Sequence, residues 1–380
     1  MTGLELWALL CLVFWIGLTL DRSRAWPRES VLPEVEEGRG SFDSARVVAI
    51  VPARNEEATL DRTLPALLQQ EGLDRVVVAD DGSEDATGEI VDELSVISDR
   101  EASVRRIVVP PPPAGWSGKV HAISASTERI WESEKGGEEI GNDWWLFIDA
   151  DIELGPDRVR ALLARAEDQR QGGPFDLVSV MARLHTGSFW EKLLIPPFVY
   201  FFQLLYPFAR VRDSKSRVAA AAGGCVLMRR SVYEAAGGHA AIRGALIDDV
   251  ALAKLVKGRG SRIWLGLDES IRSIRAYTGI RELWHMVSRN AFVQLGFRFE
   301  LLILVILGLV AFFLGPPLLI GVAGTEAAKG TLTKTAGLRI LIWAGVAWLL
   351  QARSLLPSIR HHGVPAGFSL TLPLAGMLYG

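Results

Sequence analysis

The chain has 380 residues, of which 49% are hydrophobic and 22% charged, and this composition excludes both a disordered chain and a coiled coil. Its 41 basic and 44 acidic side chains give a formal net charge of −3, so no global positive field favours nucleic acid. Two cysteines, Cys11 and Cys225, are too few for a disulfide framework or a zinc knuckle. The mean hydropathy of +0.23 and the uneven spread of apolar residues predict a globular protein attached to a membrane and facing the cytosol.

The N-terminal segment is the first candidate for a membrane span. Residues 6–20 carry no charge, and a helix over residues 1–21 is long enough to cross a hydrocarbon core of about 30 Å. A cleaved signal peptide is the alternative, but no Lys or Arg precedes the apolar run and no Ala-x-Ala site follows it. Because Arg22, Arg24 and Arg28 come next, we expect a retained anchor over residues 1–21, with the following domain in the cytoplasm.

The C-terminal region, residues 300–380, has the composition of two or three further spans. Residues 301–324 are uncharged and contain Gly315-Pro316-Pro317, and another span is expected over residues 336–356. Residues 364–380 are also uncharged and fit a last span that is cut short. Buried core helices are the alternative for each. The lengths and basic flanks favour a multi-pass protein of the cell membrane.

One aromatic segment lies between these ends. Residues 189–208 read FWEKLLIPPFVYFFQLLYPF, with Pro196-Pro197 and Pro207 inside an apolar run. Prolines and the charged residues at the start argue against a plain span, so we expect a pair of helices lying in the membrane interface. A segment of a soluble core is the alternative.

The middle of the chain alternates between strand-like and helix-like segments. Strands are expected over residues 47–51, 76–79, 104–109 and 144–148, and helices over residues 57–70, 87–94 and 120–131. This alternation predicts an α/β fold with a parallel sheet and right-handed crossovers. Ligands of such sheets bind beyond the carboxyl ends of the strands.

Acidic clusters follow three of these predicted strands. They are the Asn55-Glu56-Glu57 turn within VPARNEE, Asp80-Asp81 within VADDGSEDAT, and Asp149-Ala150-Asp151 within FIDAD. Carboxylates on one rim of a sheet repel each other and need a cation or hydrogen-bond donors. The Asp-x-Asp pair could offer hard oxygen ligands to Mg²⁺ or Mn²⁺, which would bridge a diphosphate. An Asx turn followed by a helix N-cap is the structural alternative for this pair.

Together with the distant LIDDVALAKLV segment, these clusters resemble the inverting family-2 glycosyltransferases with the GT-A fold. The resemblance covers residues 46–295 and implies a Rossmann-like domain with a mostly parallel sheet over residues 45–295, flanked by N-terminal and C-terminal transmembrane helices. It implies these neighbours of the nucleotide: Pro52, Arg54, Glu56, Asp80 and Asp81. It also implies that Asp149 belongs to the nucleotide-sugar site and that Asp149 and Asp151 bind the metal.

The Asp248-Asp249 pair stands where this family has its catalytic base, and Asp249 is the better match. Inversion at an anomeric carbon is a direct displacement in which a carboxylate takes the proton of the acceptor hydroxyl. The alternative is structural, because two acidic residues at the start of a helix also complement its dipole.

Gly115-Trp116-Ser117-Gly118-Lys119 narrows the resemblance, because ceramide glucosyltransferases and hopene-associated glycosyltransferases carry a similar element. The hopene-associated group matches best. Lys119 would then lie near the diphosphate; a glycine loop with a solvated lysine is the alternative. Gly223-Gly224-Cys225 resembles the small-residue strand beside the sugar pocket of that group, although tight packing would explain it equally.

One departure concerns the Gln-x-x-Arg-Trp element of processive relatives. Here Arg289 is correctly placed to contact the diphosphate, but Gln and Trp are missing, so we expect transfer of a single sugar. The expected donor is a UDP-sugar and the expected acceptor a lipid hydroxyl, with a hopanoid suggested by the best resemblance. A polyisoprenyl-phosphate acceptor and a non-catalytic scaffold that binds nucleotide-sugar are the alternatives. No protein partner can be inferred.

Overall fold

The chain divides into two units in this computed structural model, which describes residues 1–26, 30–34, 45–96, 103–134, 143–171 and 173–379. The helical unit comprises Met1–Trp26, His185–Pro207 and Ala276–Gly380. The α/β unit comprises Pro27–Leu184 and Phe208–Arg275.

The strands and helices are numbered in chain order. The strands are β1 (Arg46–Ala53), β2 (Leu73–Asp80), β3 (Ser103–Val108), β4 (Asp143–Ile148), β5 (Ile152–Leu154), β6 (Leu177–Arg183), β7 (Cys225–Arg229) and β8 (Ile263–Ser273). The helices are α1 (Gly3–Leu20), α2 (Glu57–Leu68), α3 (Thr87–Val96), α4 (Gly118–Glu134), α5 (Arg158–Ala166), α6 (Phe189–Leu205), α7 (Phe208–Arg212), α8 (Arg230–Ala236), α9 (Asp248–Gly258), α10 (Ile280–Gln294), α11 (Phe299–Gly308), α12 (Gly315–Ala328), α13 (Lys334–His361) and α14 (Leu372–Tyr379).

The α/β unit is built on an eight-stranded sheet with the strand order β3-β2-β1-β4-β7-β6-β8-β5. Strands β3, β2, β1 and β4 pair in parallel, as the alternation of strands and helices predicts. Beyond them, β7 runs antiparallel to both β4 and β6, and β5 runs antiparallel to β8. β6 pairs in parallel with β8, so four of the seven strand pairings among the described residues are parallel and the sheet is mixed.

The core of this unit places the acidic clusters at one edge. β1 is buried on both faces, and α2 packs Leu60, Leu64 and Leu68 against it. In the parallel register Ala53 lies opposite Asp80, so β1 and β2 end at the same level. Because β4 also runs parallel to β1, the clusters that follow all three strands share the carboxyl edge of the sheet.

Among the described residues, the helical unit contains three helices that are long and apolar enough to cross a membrane: Gly3–Leu20, Phe299–Ala328 and Lys334–His361. They agree with the spans expected near residues 1–21, 301–324 and 336–356. A shorter apolar stretch, Ala366–Tyr379, falls within the expected last span. The number of membrane crossings and the orientation of the chain stay predictions.

The aromatic segment at residues 189–208 forms one helix, α6, rather than the expected pair. Pro196 and Pro197 both lie inside it. Its start is fixed by a capping box, in which Ser188 Oγ accepts from the Glu191 N–H and the Glu191 carboxylate accepts from the Ser188 N–H. The two prolines therefore do not divide this helix, and its location at a membrane interface stays a prediction.

A second proline pair disturbs the helix that contains α11 and α12. Pro316 and Pro317 have no N–H groups, so carbonyls of the preceding turn lose their donors, and residues 309–314 adopt a π-helix. Side chains of α1 and α13 donate instead: Trp7 Nε1 to Ala311 O (2.9 Å), Trp15 Nε1 to Phe312 O (2.8 Å), and Gln351 Nε2 to Phe312 O (2.9 Å) and Phe313 O (3.1 Å). These hydrogen bonds join the three long helices at one level.

Gln351→Leu should therefore destabilise the helical unit although the side chain keeps nearly the same volume. We expect a loss of about 1–3 kcal/mol, because a buried donor to two backbone carbonyls is removed. Thermal unfolding of the full chain in detergent, followed by circular dichroism, measures it. Leu349→Met, a conservative change at an exposed neighbouring position, is the control. Equal melting temperatures for the two variants would contradict the role given to Gln351.

Candidate functional site

The turn after β2 separates two neighbouring carboxylates. Asp80 is buried and holds the turn, because its Oδ1 accepts from the Ser83 N–H at 2.8 Å and its Oδ2 lies 3.4 Å from Arg106 Nη1. The Asp81 N–H donates to Ala53 O at 2.9 Å, which ties the ends of β1 and β2 together. The side chain of Asp81 lies 3.9 Å from Arg54 Nη1. Asp81 is thus the member of the pair that is available to a ligand.

The end of β1 and the turn that follows it contain the other three residues predicted to border a nucleotide. Pro52 lines a cavity described below, whereas the side chain of Arg54 is largely exposed. Glu56 accepts from Thr59 Oγ1 at 3.0 Å and from Arg275 Nη2 at 2.5 Å. The three residues therefore lie close together in the chain but have different surroundings.

The Gly115–Lys119 loop meets this edge of the sheet through Gly118. A Cβ atom on Gly118 would lie 2.6 Å from Asp81 Oδ2, so a larger residue would push the carboxylate away. The Ser117 N–H donates to Arg243 O at 3.0 Å, which fixes the loop from the other side. Close approach at Gly118 places Lys119, in the first turn of α4, among the carboxylates.

Lys119 joins two acidic clusters that are far apart in the sequence. Its Nζ lies 2.7 Å from Asp149 Oδ1 and 3.6 Å from Asp248 Oδ2. Burial disfavours the ammonium, but the attraction of Asp149 and Asp248 outweighs it and raises the pKa of Lys119 well above its ordinary value. Burial raises the pKa of Asp149, against the opposing attraction of Lys119. Lys119 therefore stays charged at any pH at which the protein works.

Asp249 lies beside Asp248 at the start of α9. Its Oδ2 accepts from the Gly223 N–H at 2.6 Å and its Oδ1 from the Val250 N–H at 2.7 Å. Burial, with the charge of Asp248 next to it, raises the pKa of Asp249 to about 7. Both residues also occupy the first turn of a helix, as the structural alternative expects. A carboxyl group that titrates near neutral pH goes beyond what helix capping requires.

Asp151 faces a different set of partners from those of Asp149. Ser273 Oγ donates to Asp151 Oδ2 at 2.5 Å, and Arg275 Nε lies 3.7 Å from the same oxygen. Since Arg275 also bonds Glu56, it links the turn after β1 to the Asp-x-Asp pair. Sequence reasoning missed Arg275, and nothing in the local pattern around β8 points to it.

An open cavity brings several of these groups together. Its lining includes Pro52, Lys119, Asp149, Asp248, Asp249 and His239, and the remaining side chains are mainly apolar. Sequence reasoning also missed His239. Its position after Gly237-Gly238, ten residues before Asp249, is the signal that could have drawn attention to it.

Two of the carboxylates offer ligands for a divalent cation. Asp149 and Asp151 offer the hard oxygen atoms that Mg²⁺ and Mn²⁺ prefer. Within the described residues, no group of three His, Cys, Asp or Glu side chains is placed to hold a metal by itself. Magnesium is commonly bound by one or two carboxylates together with substrate phosphates. The residues therefore fit an ion that is shared with a bound diphosphate.

Arg289 lies on α10 in the helical unit. Its side chain is outside the part of the chain that the structure describes. Its expected contact with the diphosphate stays a prediction.

Comparisons with known proteins identify the family of this chain. A family model described as glycosyl transferase family 2 matches residues 48–237, half of the chain. A 4,4'-diaponeurosporenoate glycosyltransferase of Staphylococcus aureus (strain MRSA252) is 28% identical over an alignment of 223 residues, and the match covers 56% of this chain and 51% of that protein. This chain thus spans about half the length of the curated relatives it matches.

A solved structure is similar over almost the whole chain. It is a mannosyltransferase from Pyrobaculum calidifontis in complex with GDP-Man and Mn²⁺, with 17% identity and a TM-score of 0.53. The similarity covers 98% of this chain and 99% of that one. It shows a shared fold and confirms the expected α/β architecture of the GT-A type.

Lys119→Met should lower stability more at pH 8 than at pH 5. At pH 8 Asp249, with its pKa of about 7, is largely ionised, so the substitution removes a cation that attracts it; at pH 5 Asp249 is protonated and this loss is smaller. We expect a loss at pH 8 of about 1–3 kcal/mol, between the values of exposed and buried ion pairs.

Thermal unfolding of the full chain in detergent at both pH values measures this difference. Lys215→Met removes an exposed lysine elsewhere in the α/β unit and serves as the control. A loss for Lys119→Met that is the same at both pH values would show that Lys119 does not compensate these carboxylates.

Proposed function

The chain belongs to glycosyl transferase family 2, and we propose that it transfers a single sugar from a nucleotide-sugar to the hydroxyl group of a membrane lipid, with inversion at the anomeric carbon. The observation that carries the proposal is the position of Lys119 between Asp149 and Asp248, in the cavity that Asp249 also lines. Groups suited to a diphosphate and a group suited to accept a proton thus line one cavity.

The donor would bind along the carboxyl edge of β1, β2 and β4. Pro52, Arg54, Glu56 and Asp81 would border the base and ribose, with Asp80 holding their turn. Lys119 would pair with the diphosphate, an anion that competes with Asp149 for the ammonium. A divalent cation held by Asp149 and Asp151, when bound, stabilises the negative charge that develops on the departing diphosphate. A UDP-sugar is the proposed donor.

Asp249 would act as the general base. A base works best when its pKa lies near the working pH, and burial brings the pKa of Asp249 to about 7. The backbone N–H groups of Gly223 and Val250 hold both of its oxygens, so the carboxylate keeps one orientation. Asp248, paired with Lys119, would raise the basicity of Asp249 rather than take the proton itself.

A lipid acceptor is supported by the rest of the chain. Three helices are long and apolar enough to span a membrane, and the arginines after α1 favour a cytoplasmic α/β unit. The relative from S. aureus is named for 4,4'-diaponeurosporenoate, a carotenoid acid. Within this class we propose a polycyclic lipid of the hopanoid type, on the resemblance of the Gly115–Lys119 element.

An acidic acceptor is the second candidate, and the name of the same relative favours it. A carboxylate or a polyisoprenyl phosphate is already an anion and needs no strong base. The two candidates therefore differ in their dependence on Asp249.

Transfer of labelled sugar from UDP-sugars and from GDP-mannose to extracted lipids, with Mn²⁺ or Mg²⁺ added, tests the proposal. Asp249→Asn should lower transfer by about 100-fold or more if the acceptor is a hydroxyl, because general-base catalysis contributes about 10²–10⁴-fold. Asp157→Asn, an exposed position of the α/β unit, is the control. Unchanged transfer in Asp249→Asn would favour the acidic acceptor, and nucleotide binding without any product would favour a non-catalytic role.

The rate of transfer should depend on pH through Asp249. The carboxyl group must be ionised to accept a proton, so the wild-type kcat/KM should rise about tenfold per pH unit below an inflection near pH 7 and level off above it. The residual activity of Asp249→Asn should lack this inflection. A wild-type profile that is flat between pH 5.5 and 8 would contradict the assignment of the base.

A further inference from the structure

His239 is a buried imidazole in the wall of the cavity that holds Lys119 and Asp249. Its exposed fraction is 2%, and its ring lies edge-on to Phe147 with the ring centroids 4.9 Å apart. It begins a short 3-10 helix, residues His239–Ile242, that follows Gly237-Gly238. None of the roles proposed above uses this side chain.

Tyr233 contacts the Nδ1 side of the His239 ring. Tyr233 Oη lies 2.9 Å from His239 Nδ1 and also accepts from the His239 backbone N–H at 3.1 Å. Gly238 makes this approach possible, since its φ is +52° and a Cβ atom there would lie 2.6 Å from the tyrosine ring. The orientation of the imidazole is therefore fixed through its Nδ1 side.

The hydrogen bonds of the Tyr233 hydroxyl indicate which ring nitrogen of His239 carries the proton. The hydroxyl of Thr127 donates to backbone carbonyls, Ile123 O at 3.0 Å or Ser124 O at 2.9 Å. The Tyr233 hydroxyl can then donate to Thr127 Oγ1 at 3.3 Å or to His239 Nδ1 at 2.9 Å, and the shorter contact is the better hydrogen bond. With Nδ1 as the acceptor, the proton of the neutral ring is on Nε2.

The imidazole is neutral under working conditions. Burial lowers the pKa of His239 to about 4, with Asp248 favouring and Lys119 opposing the charged form. Among the residues that line the cavity, His239 is the one neutral polar side chain, because the others are apolar, charged, glycine or proline. A sugar is recognised through uncharged hydroxyl groups, and a neutral N–H donor suits such a group.

We propose that His239 is a specificity-determining residue whose Nε2–H donates a hydrogen bond to one hydroxyl oxygen of the donor sugar, while Tyr233 holds the ring in place. This inference rests on the proposed function, because it assigns part of the sugar site to the same cavity. A pocket built to bond one hydroxyl discriminates strongly against donors that lack it. His239 would thus select the sugar, whereas Lys119 and the acidic clusters bind the part shared by all donors.

Deoxy donors combined with substitutions at His239 test the inference. Wild-type kcat/KM should fall at least tenfold for one of the 2-, 3-, 4- and 6-deoxy forms of the accepted nucleotide-sugar. With the intact donor, the kcat/KM of His239→Phe should be about tenfold or more below that of the wild type. Its kcat/KM should not fall further with that deoxy donor. The dissociation constant of the free nucleoside diphosphate should change less than twofold. His239→Gln, which keeps an N–H donor, should restore part of the activity and of the discrimination.

Tyr233→Phe is the matched variant for the holding role. It keeps the aromatic ring and removes the hydroxyl, so the imidazole loses its partner at Nδ1 but stays in the cavity. We expect a smaller loss than in His239→Phe, with the preference for the intact donor reduced but present.

The outcomes separate this inference from the proposed function. One outcome is that the wild type transfers sugar while the kcat/KM of His239→Phe lies below that of the wild type by the same factor for every donor, intact or deoxy. In that case the side chain has only a packing role and the inference is wrong. If the wild type discriminates against none of the deoxy donors, the inference fails even should a variant not fold. Absence of transfer by the wild type with every donor would instead overturn the proposed function.

Discussion

The structure of the site depends on one ammonium group among carboxylates that come from separate parts of the chain. Asp149 follows β4 and Asp248 begins α9, 99 positions later, yet both lie within 4 Å of Lys119 Nζ. Unit charges 4 Å apart interact by about 4 kcal/mol in the effective dielectric of a protein surface, so the attraction of Lys119 offsets the repulsion between the two carboxylates. Gly118 allows Lys119 to reach that position, because no side chain would fit between the loop and Asp81.

In the helical unit, the groups that need partners from distant parts of the chain are backbone carbonyls rather than carboxylates. Pro316 and Pro317 remove hydrogen-bond donors in a helix where water would be absent if the unit spans a membrane. Donors from Trp7, Trp15 and Gln351 compensate, and they come from two other helices. In both units, local groups that are unfavourable on their own are stabilised by partners distant in sequence.

This dependence explains which features could be predicted from the sequence. The edge that holds Asp81 and Asp149 was predictable, since parallel strands present their carboxyl ends together. The choice between Asp80 and Asp81 was not, because either residue can turn inward, and only the contacts with Ser83 and Arg106 show that Asp80 does.

Partners that meet only in the folded chain were missed. Arg275 bonds Glu56 across 219 positions, and no local pattern marks such a pair. The antiparallel direction of β7 was also not predicted, because the alternation of strands and helices carries no information on the direction of a strand that follows long loops. The resemblance to a family located the carboxylates but gave no expectation for the imidazole beside them.

The pKa values of the groups in the cavity limit the chemical role that each group can have. Lys119 is raised far above the neutral range and stays charged, so it can hold an anion but cannot exchange a proton. His239, with a pKa of about 4, stays neutral and can only donate or accept hydrogen bonds. Of the three, Asp249 alone titrates near pH 7, because burial and Asp248 disfavour its charged form. When neighbouring environments separate the pKa values of titratable groups in this way, each group is left with one chemical task. In the function proposed here, the local environments, rather than the residue types, therefore assign anion binding, hydroxyl recognition and proton transfer to different side chains of one cavity.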